Sequence, residues 1–533
     1  MLAKLYSGAI YGLDAFRIVI EVSVGNGIGY SITGLADDGI KESLSRIAIA
    51  VQQLGFQMPR TKLVINLAPA DLRKSGTAFD LPMALGILIA SEQVQDIGKL
   101  SDYLLIGEIG LDGTIFPVRG ALCMAYQASR EGFRGIILPK ANAPEATLVS
   151  GLAVYGISTL QEVIAFVQSD IALTPMIAME PKKAYYPLGP DFSDVKGQKP
   201  VKRALEIAAA GGHNALLIGP PGSGKTMLAK RMPSILPPMT VAESLETSRI
   251  YSVINTGKPL TGLIRDRPFR NPHHTMSDVA LAGGGSMPLP GEISLAHNGV
   301  LFLDELPEFR RSTIEVMRQP LEDRKVLISR AKLSVEFPAS FILLAAMNPC
   351  ICGYFGHPTR TCTCNKTALY WYRRKISGPL LERIDLHIEV DPLSGFEIME
   401  QPGRAESSYS VRQRVIRARA IQSRRLRYYP GIYNNAQMPD KIIEKACQME
   451  QETKAFLLRQ IDVLQMSARS YSRVLKLSRT IADLAGSVIV DLPHVAEALH
   501  FRSLDRPLSI HAGTRAKKVV AMNIPKNKKQ FYE

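Results

Sequence analysis

The chain has 533 residues, 46% hydrophobic and 21% charged, a composition typical of a globular protein and a length that indicates about three folded units. Lysine and arginine number 64 against 49 acidic residues, and this net charge of +15 favours polyanionic partners such as nucleic acid, with solvated faces or membrane-surface attraction as the alternative. The sequence has no apolar run of about 18 residues and no apolar leader with a cleavage site, so we predict a cytoplasmic protein without a membrane span.

The first part of the chain alternates strand-like and helix-like patterns. Apolar runs predict strands over 15–22 and 62–67, and helical periodicity predicts helices over 38–53 and 81–91. We therefore predict a mixed α/β domain over residues 1–170. Four prolines in the next stretch then predict an extended linker at 171–190.

A glycine-rich loop follows a short apolar run near the middle of the chain. The run at 215–218 predicts a buried strand, and a helical pattern begins at Met227. Between them, glycines let backbone N–H groups approach phosphates at a helix N-terminus, while a lysine supplies charge and a threonine hydroxyl holds Mg²⁺. The alternative is a chance glycine turn. The predicted nucleoside triphosphate site consists of Gly219, Pro220, Pro221, Gly222, Ser223, Gly224, Lys225 and Thr226.

A second apolar run, at 299–303, ends in two carboxylates. A buried parallel strand here would deliver Asp304 and Glu305 to its carboxyl edge. Asp304 would accept Mg²⁺ or its waters, and Glu305 would orient and polarise the attacking water. The pair favours hydrolysis of ATP over mere binding. A strand that ends in a solvated acidic turn is the alternative.

Residues 325–337 contain two β-rich runs on either side of Arg330-Ala331-Lys332. This pattern predicts a hairpin with a basic tip. Arg330 and Lys332 would contact nucleic-acid phosphates without reading bases. The alternative is an exposed hairpin whose charges only solvate it.

Four of the six cysteines lie close together at 350–364, shortly after Asn348. Disulfides rarely persist in a cytosolic chain, so the cluster indicates structural Zn²⁺, which would leave no open position for catalysis. Reduced thiols without metal are the alternative, because the Cys-x-Cys spacing is tighter than the usual one, and His357 could replace one ligand. The predicted ligands are Cys350, Cys352, Cys362 and Cys364.

The two nucleotide motifs define a predicted ATPase core over 191–391. Beyond Pro392, long helical patterns without strands predict an α-helical lid over 392–506. A basic tail follows at 507–533.

With both nucleotide motifs in place, residues 191–506 resemble an AAA+ ATPase of the magnesium-chelatase-like group. The chain up to residue 506 resembles the bacterial ComM/YifB family of competence-related ATPases. The matching segments are DVKGQ at 194–198, RPFRNPHHT at 267–275 and GPLLERIDL at 378–386. This resemblance implies a hexameric ring that encircles DNA and drives branch migration during recombination of transforming DNA. It also implies that Val195 and Gly197 contact the nucleotide, and that the 325–337 hairpin points into a central pore.

The resemblance assigns further roles around the nucleotide. Asn348, a lone amide at the end of an apolar strand, resembles the sensor of the γ-phosphate; an asparagine that caps the strand-end turn is the alternative. Arg383 resembles the finger that reaches into a neighbouring subunit's site, which would make hydrolysis depend on assembly. Its alternative is an ion pair with Glu382 or Asp385, although such near neighbours do not face each other on a helix.

The resemblance assigns one more arginine, and the residue spacing bears on a histidine pair. In the lid, Arg469 matches the second sensor arginine, with Arg473 as the fallback. His273-His274 has no acid or cysteine at ligand spacing, so we expect a structural or pore role rather than a metal site.

Residues 80–122 closely resemble the proteolytic domain of Lon. Lon-type peptidases need a serine nucleophile where this chain has Met83, and a lysine where it has Leu122. Neither a thioether nor an aliphatic side chain can do this chemistry, so we predict a Lon-like domain without peptidase activity. The predicted fold is therefore α/β: an AAA+ P-loop ATPase core with an α-helical lid, preceded by a Lon-protease-like α+β domain.

The sequence is consistent with three functions. The first is an ATP-driven ring motor on single-stranded and branched DNA, assembled from copies of this chain and working with recombination proteins. The second is a magnesium-chelatase-type motor subunit that remodels a protein partner. The third is a nucleotide-switched scaffold that binds ATP with negligible turnover despite Glu305.

Overall fold

The computed structural model describes residues 2–96, 98–168, 173–177, 189–254, 260–285, 288–330, 333–392, 406–502 and 504. Lys332, the side chain of Arg330, the basic tail at 507–533 and most of the predicted linker at 171–190 lie outside the described residues. Within the described residues, no helix combines the length and the apolar character needed to cross a membrane.

The first 168 residues contain nine strands and five α-helices among those described. The strands are β1 (Leu2–Tyr11), β2 (Asp14–Gly25), β3 (Tyr30–Thr33), β4 (Lys62–Ala68), β5 (Tyr103–Leu105), β6 (Glu108–Ile109), β7 (Ile115–Phe116), β8 (Gly135–Pro139) and β9 (Ala153–Ile157). The helices are α1 (Asp38–Gln53), α2 (Asp80–Ala90), α3 (Ala121–Arg130), α4 (Ala143–Ala146) and α5 (Leu160–Gln168).

Residues 189–392 mix short strands with helices. The strands are β10 (Ala215–Ile218), β11 (Phe269–Arg270), β12 (Gly283–Gly284), β13 (Leu289–Pro290), β14 (Val300–Leu303), β15 (Lys325–Arg330), β16 (Leu333–Pro338), β17 (Ile342–Met347) and β18 (Leu386–Glu389). The helices are α6 (Lys199–Gly211), α7 (Lys225–Ile235), α8 (Val241–Ile254), α9 (Asp278–Ala282), α10 (Glu292–Leu295), α11 (Arg311–Val316), α12 (Arg318–Asp323), α13 (Lys366–Arg374) and α14 (Gly378–Leu381).

The described residues from 406 onward form α-helices without strands. These are α15 (Ser408–Leu426), α16 (Asp440–Ala446), α17 (Gln451–Leu464), α18 (Ala468–Ala485) and α19 (Leu492–His500). Short 3₁₀ turns occupy Lys99–Asp102, Phe192–Asp194, Leu306–Glu308 and Asn435–Gln437. The helical character predicted beyond Pro392 is confirmed for these residues.

The chain divides into two compact units. The first comprises residues 1–191 and 229–344, and the second comprises 192–228 and 345–533. These bounds cut through the predicted ATPase core at 191–391, so the predicted domain limits stay a prediction. Strand β17 passes from the first unit into the second after Leu344.

The first unit is built on a seven-stranded sheet with the order β3-β4-β2-β1-β5-β8-β9. The pairs β1–β2 and β2–β4 are antiparallel, whereas β5, β8 and β9 run parallel to one another, so the sheet is mixed. Helix α2 is buried along its whole length, because all of its residues except Asp80 are apolar or glycine. The α/β prediction for this region is confirmed.

The part of the first unit beyond residue 228 contains three neighbouring strands in the order β11-β14-β17. Strand β14 is fully buried, as expected for a short continuous apolar run. The predicted hairpin is confirmed: β15 and β16 pair antiparallel from Lys325↔Pro338 to Arg330↔Leu333.

The second unit contains the order β17-β10-β18, with β10 and β18 parallel. Helices α6, α15 and α18 pack against one another beside these strands. Helix α18 begins at an N-cap, where the Ser467 hydroxyl accepts from Ser470 N, and ends at Gly486 in the left-handed conformation.

Candidate functional site

The glycine-rich loop joins the buried strand β10 to helix α7 in the second unit. Gly222 and Gly224 adopt φ +78° and +87°, a region that favours glycine. A Cβ at either position would meet no atom of the described residues within 4 Å, so the loop leaves open space where phosphates would lie. Ser223 Oγ is buried and has no hydrogen-bond partner among the described residues. The loop therefore fits a nucleotide.

The Lys225 side chain contacts both the glycine-rich loop and Asn348, which follows the end of β17. Its ammonium donates to the carbonyl oxygens of Gly219 at 2.7 Å and Pro220 at 2.9 Å, and to Asn348 Oδ1 at 3.2 Å. Gly219 N donates to Met347 O at 3.2 Å, which holds the loop beside the strand end. The structure thus brings together the predicted phosphate lysine and the predicted sensor amide, which are 123 positions apart in the sequence.

The predicted segment before α6 lies in the same unit. Val195 is buried, and its carbonyl accepts from Lys202 Nζ at 2.6 Å. Gly197 has φ +57° and Gln198 has φ +53°. Gln198 Nε2 donates to Asp391 O at 2.7 Å, a contact that no sequence pattern predicted. The nucleotide-binding roles of Val195 and Gly197 stay predictions.

The two carboxylates follow β14 in the first unit. Glu305 adopts φ +50°, and its backbone N–H donates to Asp304 Oδ1 at 3.0 Å. The Glu305 side chain is 59% exposed, and its Oε2 lies 3.7 Å from His274 Nδ1. His274 follows β11, the neighbour of β14 in the sheet. Sequence spacing indicated no acid near this histidine, and the parallel pairing of β11 with β14 supplies one.

The predicted finger residue is buried in the described chain. Arg383 is only 6% exposed, and its Nη1 donates to Pro379 O at 2.7 Å. Glu382 and Asp385, the alternative partners by sequence, pair with Arg469 and Arg473. A role in trans requires the Arg383 side chain to turn outward, and that role stays a prediction.

The two sensor candidates on α18 have different surroundings. Arg469 is 61% exposed and pairs with Glu382 at 3.4 Å. Arg473 donates to Asp385 Oδ1 at 2.7 Å. Asp385 is fully buried; burial alone would raise the pKa of its carboxyl, but Arg473 and then His213 hold that pKa well below its usual range. Arg473 thus belongs to a buried ion pair and Arg469 to an exposed one, and the second-sensor role of Arg469 stays a prediction.

The four clustered cysteines converge in the second unit. Their Sγ atoms all lie within 4.8 Å of one another, and three of the pairs are 3.3, 3.7 and 3.5 Å apart. Four sulfurs placed about 2.3 Å from a central ion would be roughly 3.8 Å apart, so the cluster fits a tetrahedral metal. The residues are Cys350, Cys352, Cys362 and Cys364.

Backbone N–H groups donate to two of these sulfurs, and the surroundings shift the pKa values of Cys350 and Cys352 in opposite directions. Phe355 N donates to Cys350 Sγ at 3.3 Å, and Cys352 N donates to Cys364 Sγ at 3.4 Å. Backbone N–H groups of Tyr354 and Thr363 lower the pKa of the Cys352 thiol to about 5. Burial raises the pKa of Cys350 to about 12.

His357, the possible substitute ligand, is engaged elsewhere. Its Nδ1 accepts from the backbone N–H groups of Thr359 at 3.2 Å and Arg360 at 3.0 Å.

The Lon-like positions lie in the core of the first unit. Met83 and Leu122, which stand where Lon-type peptidases have a serine and a lysine, are both fully buried. Nearby, the buried Asp80 accepts a hydrogen bond from the Ser43 hydroxyl and pairs with Arg46 at 2.9 Å. Burial raises the pKa of this carboxyl, against the opposing effect of Ser43 and Arg46. Neither Met83 nor Leu122 carries a group that could act as a nucleophile or a base.

Comparison with known protein families places three magnesium chelatase models on this chain. The model of magnesium chelatase, subunit ChlI, matches residues 191–398. The model of subunit ChlI of Mg-chelatase matches residues 20–142, and that of the ChlI C-terminal region matches residues 405–502.

Curated proteins give longer matches. The competence protein ComM of Haemophilus influenzae is 42% identical over 514 residues, covering 95% of this chain and 98% of that protein. YifB of Escherichia coli is 42% identical over 515 residues, covering 96% and 98%. Lon protease 2 of Bacillus subtilis is 31% identical over 156 residues, which cover 27% of each chain.

Proposed function

This chain belongs to the ComM/YifB family of magnesium-chelatase-like AAA+ proteins, and on that basis we propose that it is a cytoplasmic ATP hydrolase that works as a ring motor on DNA. The motor would be a hexamer of this chain that promotes helicase or branch-migration activity during recombination in natural transformation. The AAA+ fold and the Lon-like homology are established by the matches above.

The contact that supports nucleotide chemistry best is that between Lys225 Nζ and Asn348 Oδ1. In an ATP complex, Lys225 would turn its charge to the β- and γ-phosphates, and Asn348 would sense the γ-phosphate. The open space at Gly222 and Gly224 would let backbone N–H groups approach the phosphates.

Hydrolysis needs a base and a cation site. Bound Mg²⁺ would neutralise charge on the phosphate oxygens, and Thr226 and Asp304 are the side chains that would hold it. Glu305 would orient and polarise the attacking water, and its exposed carboxylate leaves room for that water. Arg383 from a neighbouring subunit and Arg469 would stabilise the developing charge.

Charge and relatives support DNA as the substrate on which the motor acts. The net charge of +15 favours a polyanion, and one relative is a competence protein. Arg330 and Lys332 would contact backbone phosphates from the tip of the β15–β16 hairpin.

The cysteine cluster supports a structural Zn²⁺ in addition to Mg²⁺. Three of the sulfurs lie 3.3–3.7 Å apart and the fourth lies within 4.8 Å of them, which is close to the geometry of a tetrahedral four-thiolate site. Elemental analysis of protein purified without added metal tests this proposal: about one zinc per chain is expected by this stoichiometry. A metal-free preparation that is fully folded would contradict it.

A chelatase-type motor that remodels a protein partner is the second candidate. The three chelatase models that match along the chain favour it. Because both candidates hydrolyse ATP, the ATPase residues cannot separate them.

Steady-state ATP hydrolysis separates the candidates when it is measured with no DNA, single strands, plain duplex and a branched junction at stated salt. Stimulation by DNA, largest with the junction, is expected of a branch-processing motor. Indifference to every DNA would favour the chelatase-type motor, and absence of turnover with intact ATP binding would favour a nucleotide-switched scaffold.

A further inference from the structure

The cysteine loop occupies residues 349–365, between strand β17 and helix α13, in the second unit. Cys350 and Cys352 lie near its start, and Cys362 and Cys364 lie near its end. The two ends of the loop therefore meet at the four sulfurs, and a metal ion bound there would cross-link them. Asn365 then caps α13 by accepting from Ala368 N at 2.7 Å.

Asn348, the residue directly before this loop, contacts the phosphate-binding loop. That residue stands two positions before Cys350, and its Oδ1 accepts from Lys225 Nζ at 3.2 Å. A displacement of Cys350 would be transmitted over two residues to the lysine that binds phosphate.

A second contact lies directly after Cys352. Gly353 is buried and adopts φ +84°, and its N–H donates to Cys350 O at 3.0 Å in a tight turn. A Cβ built on Gly353 would lie 2.6 Å from Cδ of Pro221, inside the phosphate-binding loop. The backbone of Gly353 therefore packs directly against the Pro221 ring.

We propose that a metal ion bound by the four cysteines supports the nucleotide site, by holding Asn348 and Gly353 against the phosphate-binding loop. The ligand is a thiophilic cation such as Zn²⁺. Without it, only weak thiol contacts would join the two ends of the loop, and the loop would open more easily. Loss of the metal then weakens ATP binding even though none of the four cysteines belongs to the proposed nucleotide site. This inference rests on the proposed ATPase function and adds the bound metal as a determinant of ATP affinity.

Two glycines of the loop give a matched pair of variants. Gly353 and Gly356 have similar backbone conformations, with φ +84° and +77°, which would strain any residue with a Cβ. A Cβ at Gly356 would meet no atom of the described residues within 4 Å, whereas one at Gly353 would collide with Pro221. Gly353→Ala and Gly356→Ala therefore share the cost of a strained φ and differ in contact with the phosphate-binding loop.

The experiment uses the full chain, with metal content measured by elemental analysis and ATP affinity measured with a fluorescent ATP analogue. We expect Gly353→Ala to retain its zinc but to bind the analogue about tenfold more weakly, the order of effect that forced repacking produces. Gly356→Ala should match the wild type. Removal of zinc from the wild type with a thiol-binding mercurial and a chelator should weaken binding similarly, and added Zn²⁺, after the mercurial is reversed with thiol, should restore it.

Failure of this inference and failure of the proposed ATPase function would give different results. Equal ATP affinity of the metallated and metal-free wild type would overturn the inference and leave the ATPase proposal intact, as would equal affinities of the two glycine variants. Absence of metal from the folded, ATP-binding wild type would also overturn it. A metallated wild type that binds no ATP would overturn both the inference and the proposed function.

Discussion

His274 Nδ1 lies 3.7 Å from Glu305 Oε2, although the two residues are 31 positions apart in the sequence. The His274 imidazole therefore lies beside the Glu305 carboxylate, which we propose activates water. His273 lies against His274, with ring centroids 4.1 Å apart and the rings tilted by 33°, and its Nδ1 pairs with the Thr275 hydroxyl at 3.0 Å. One histidine of the pair therefore lies beside the carboxylate, and the other pairs with a hydroxyl.

His274→Gln should lower kcat for ATP by about tenfold, because a general base acts efficiently only when its carboxylate is correctly placed. The KM for ATP should not change, since His274 lies outside the phosphate-binding loop. His273→Gln is the matched control and should keep the wild-type kcat. Equal kcat values for both variants would remove His274 from the positioning of Glu305.

Glu305→Gln should bind ATP normally and hydrolyse it about 10²–10⁴-fold more slowly, because the amide cannot accept a proton from water. Glu308→Gln, an exposed acid in the same turn, is the control and should keep turnover. ATP binding and phosphate release are measured on the same preparations. Near-normal turnover of Glu305→Gln would refute the proposed role of Glu305.

Arg473→Ala should destabilise the second unit by about 3–5 kcal/mol, since it removes the arginine that pairs with the buried Asp385 carboxylate. Arg469→Ala should change stability by no more than about 1 kcal/mol, because its pair with Glu382 is exposed. It should instead lower kcat. Urea unfolding monitored by circular dichroism checks the first expectation, and steady-state kinetics check the second; the reverse pattern would make Arg473 the sensor.

The stability of the second unit should depend on pH through Asp385. Arg473 and His213 outweigh burial and depress the pKa of its carboxyl in the folded chain, so the carboxylate stabilises the fold above the unfolded value of about 3.9. This contribution is lost as the pH falls below that value toward the folded pKa. Urea midpoints at pH 7, 4 and 3 should therefore decline less steeply in Arg473→Ala than in the wild type, and parallel declines would contradict the assignment.

Arg330→Ala combined with Lys332→Ala should flatten the salt dependence of DNA binding by about two units of slope or less per subunit engaged. Lys325→Ala, at the base of the same hairpin, is the control, because Lys325 already pairs with Glu336 at 2.8 Å. Binding isotherms at several salt concentrations supply the slopes. An unchanged slope in the double variant would remove the hairpin tip from the DNA path.

The local patterns determined much of this protein from the sequence alone. The apolar runs at 215–218 and 299–303 predicted buried strands, and the structure has β10 and β14 there. The glycine loop, the hairpin at 325–337 and the cysteine cluster were also evident. Each of these features depends on residues close along the chain, where backbone geometry and side-chain period set the outcome.

Tertiary structure decided the relations between distant residues. Nothing in the spacing of the sequence brings His274 to Glu305 or Gly353 to Pro221. The different surroundings of Arg469 and Arg473 likewise follow from where Asp385 is buried. Such contacts follow from which strands become neighbours and how helices pack on them. The sequence supplied the candidate chemical groups, and only the packing of the chain brought distant ones into contact.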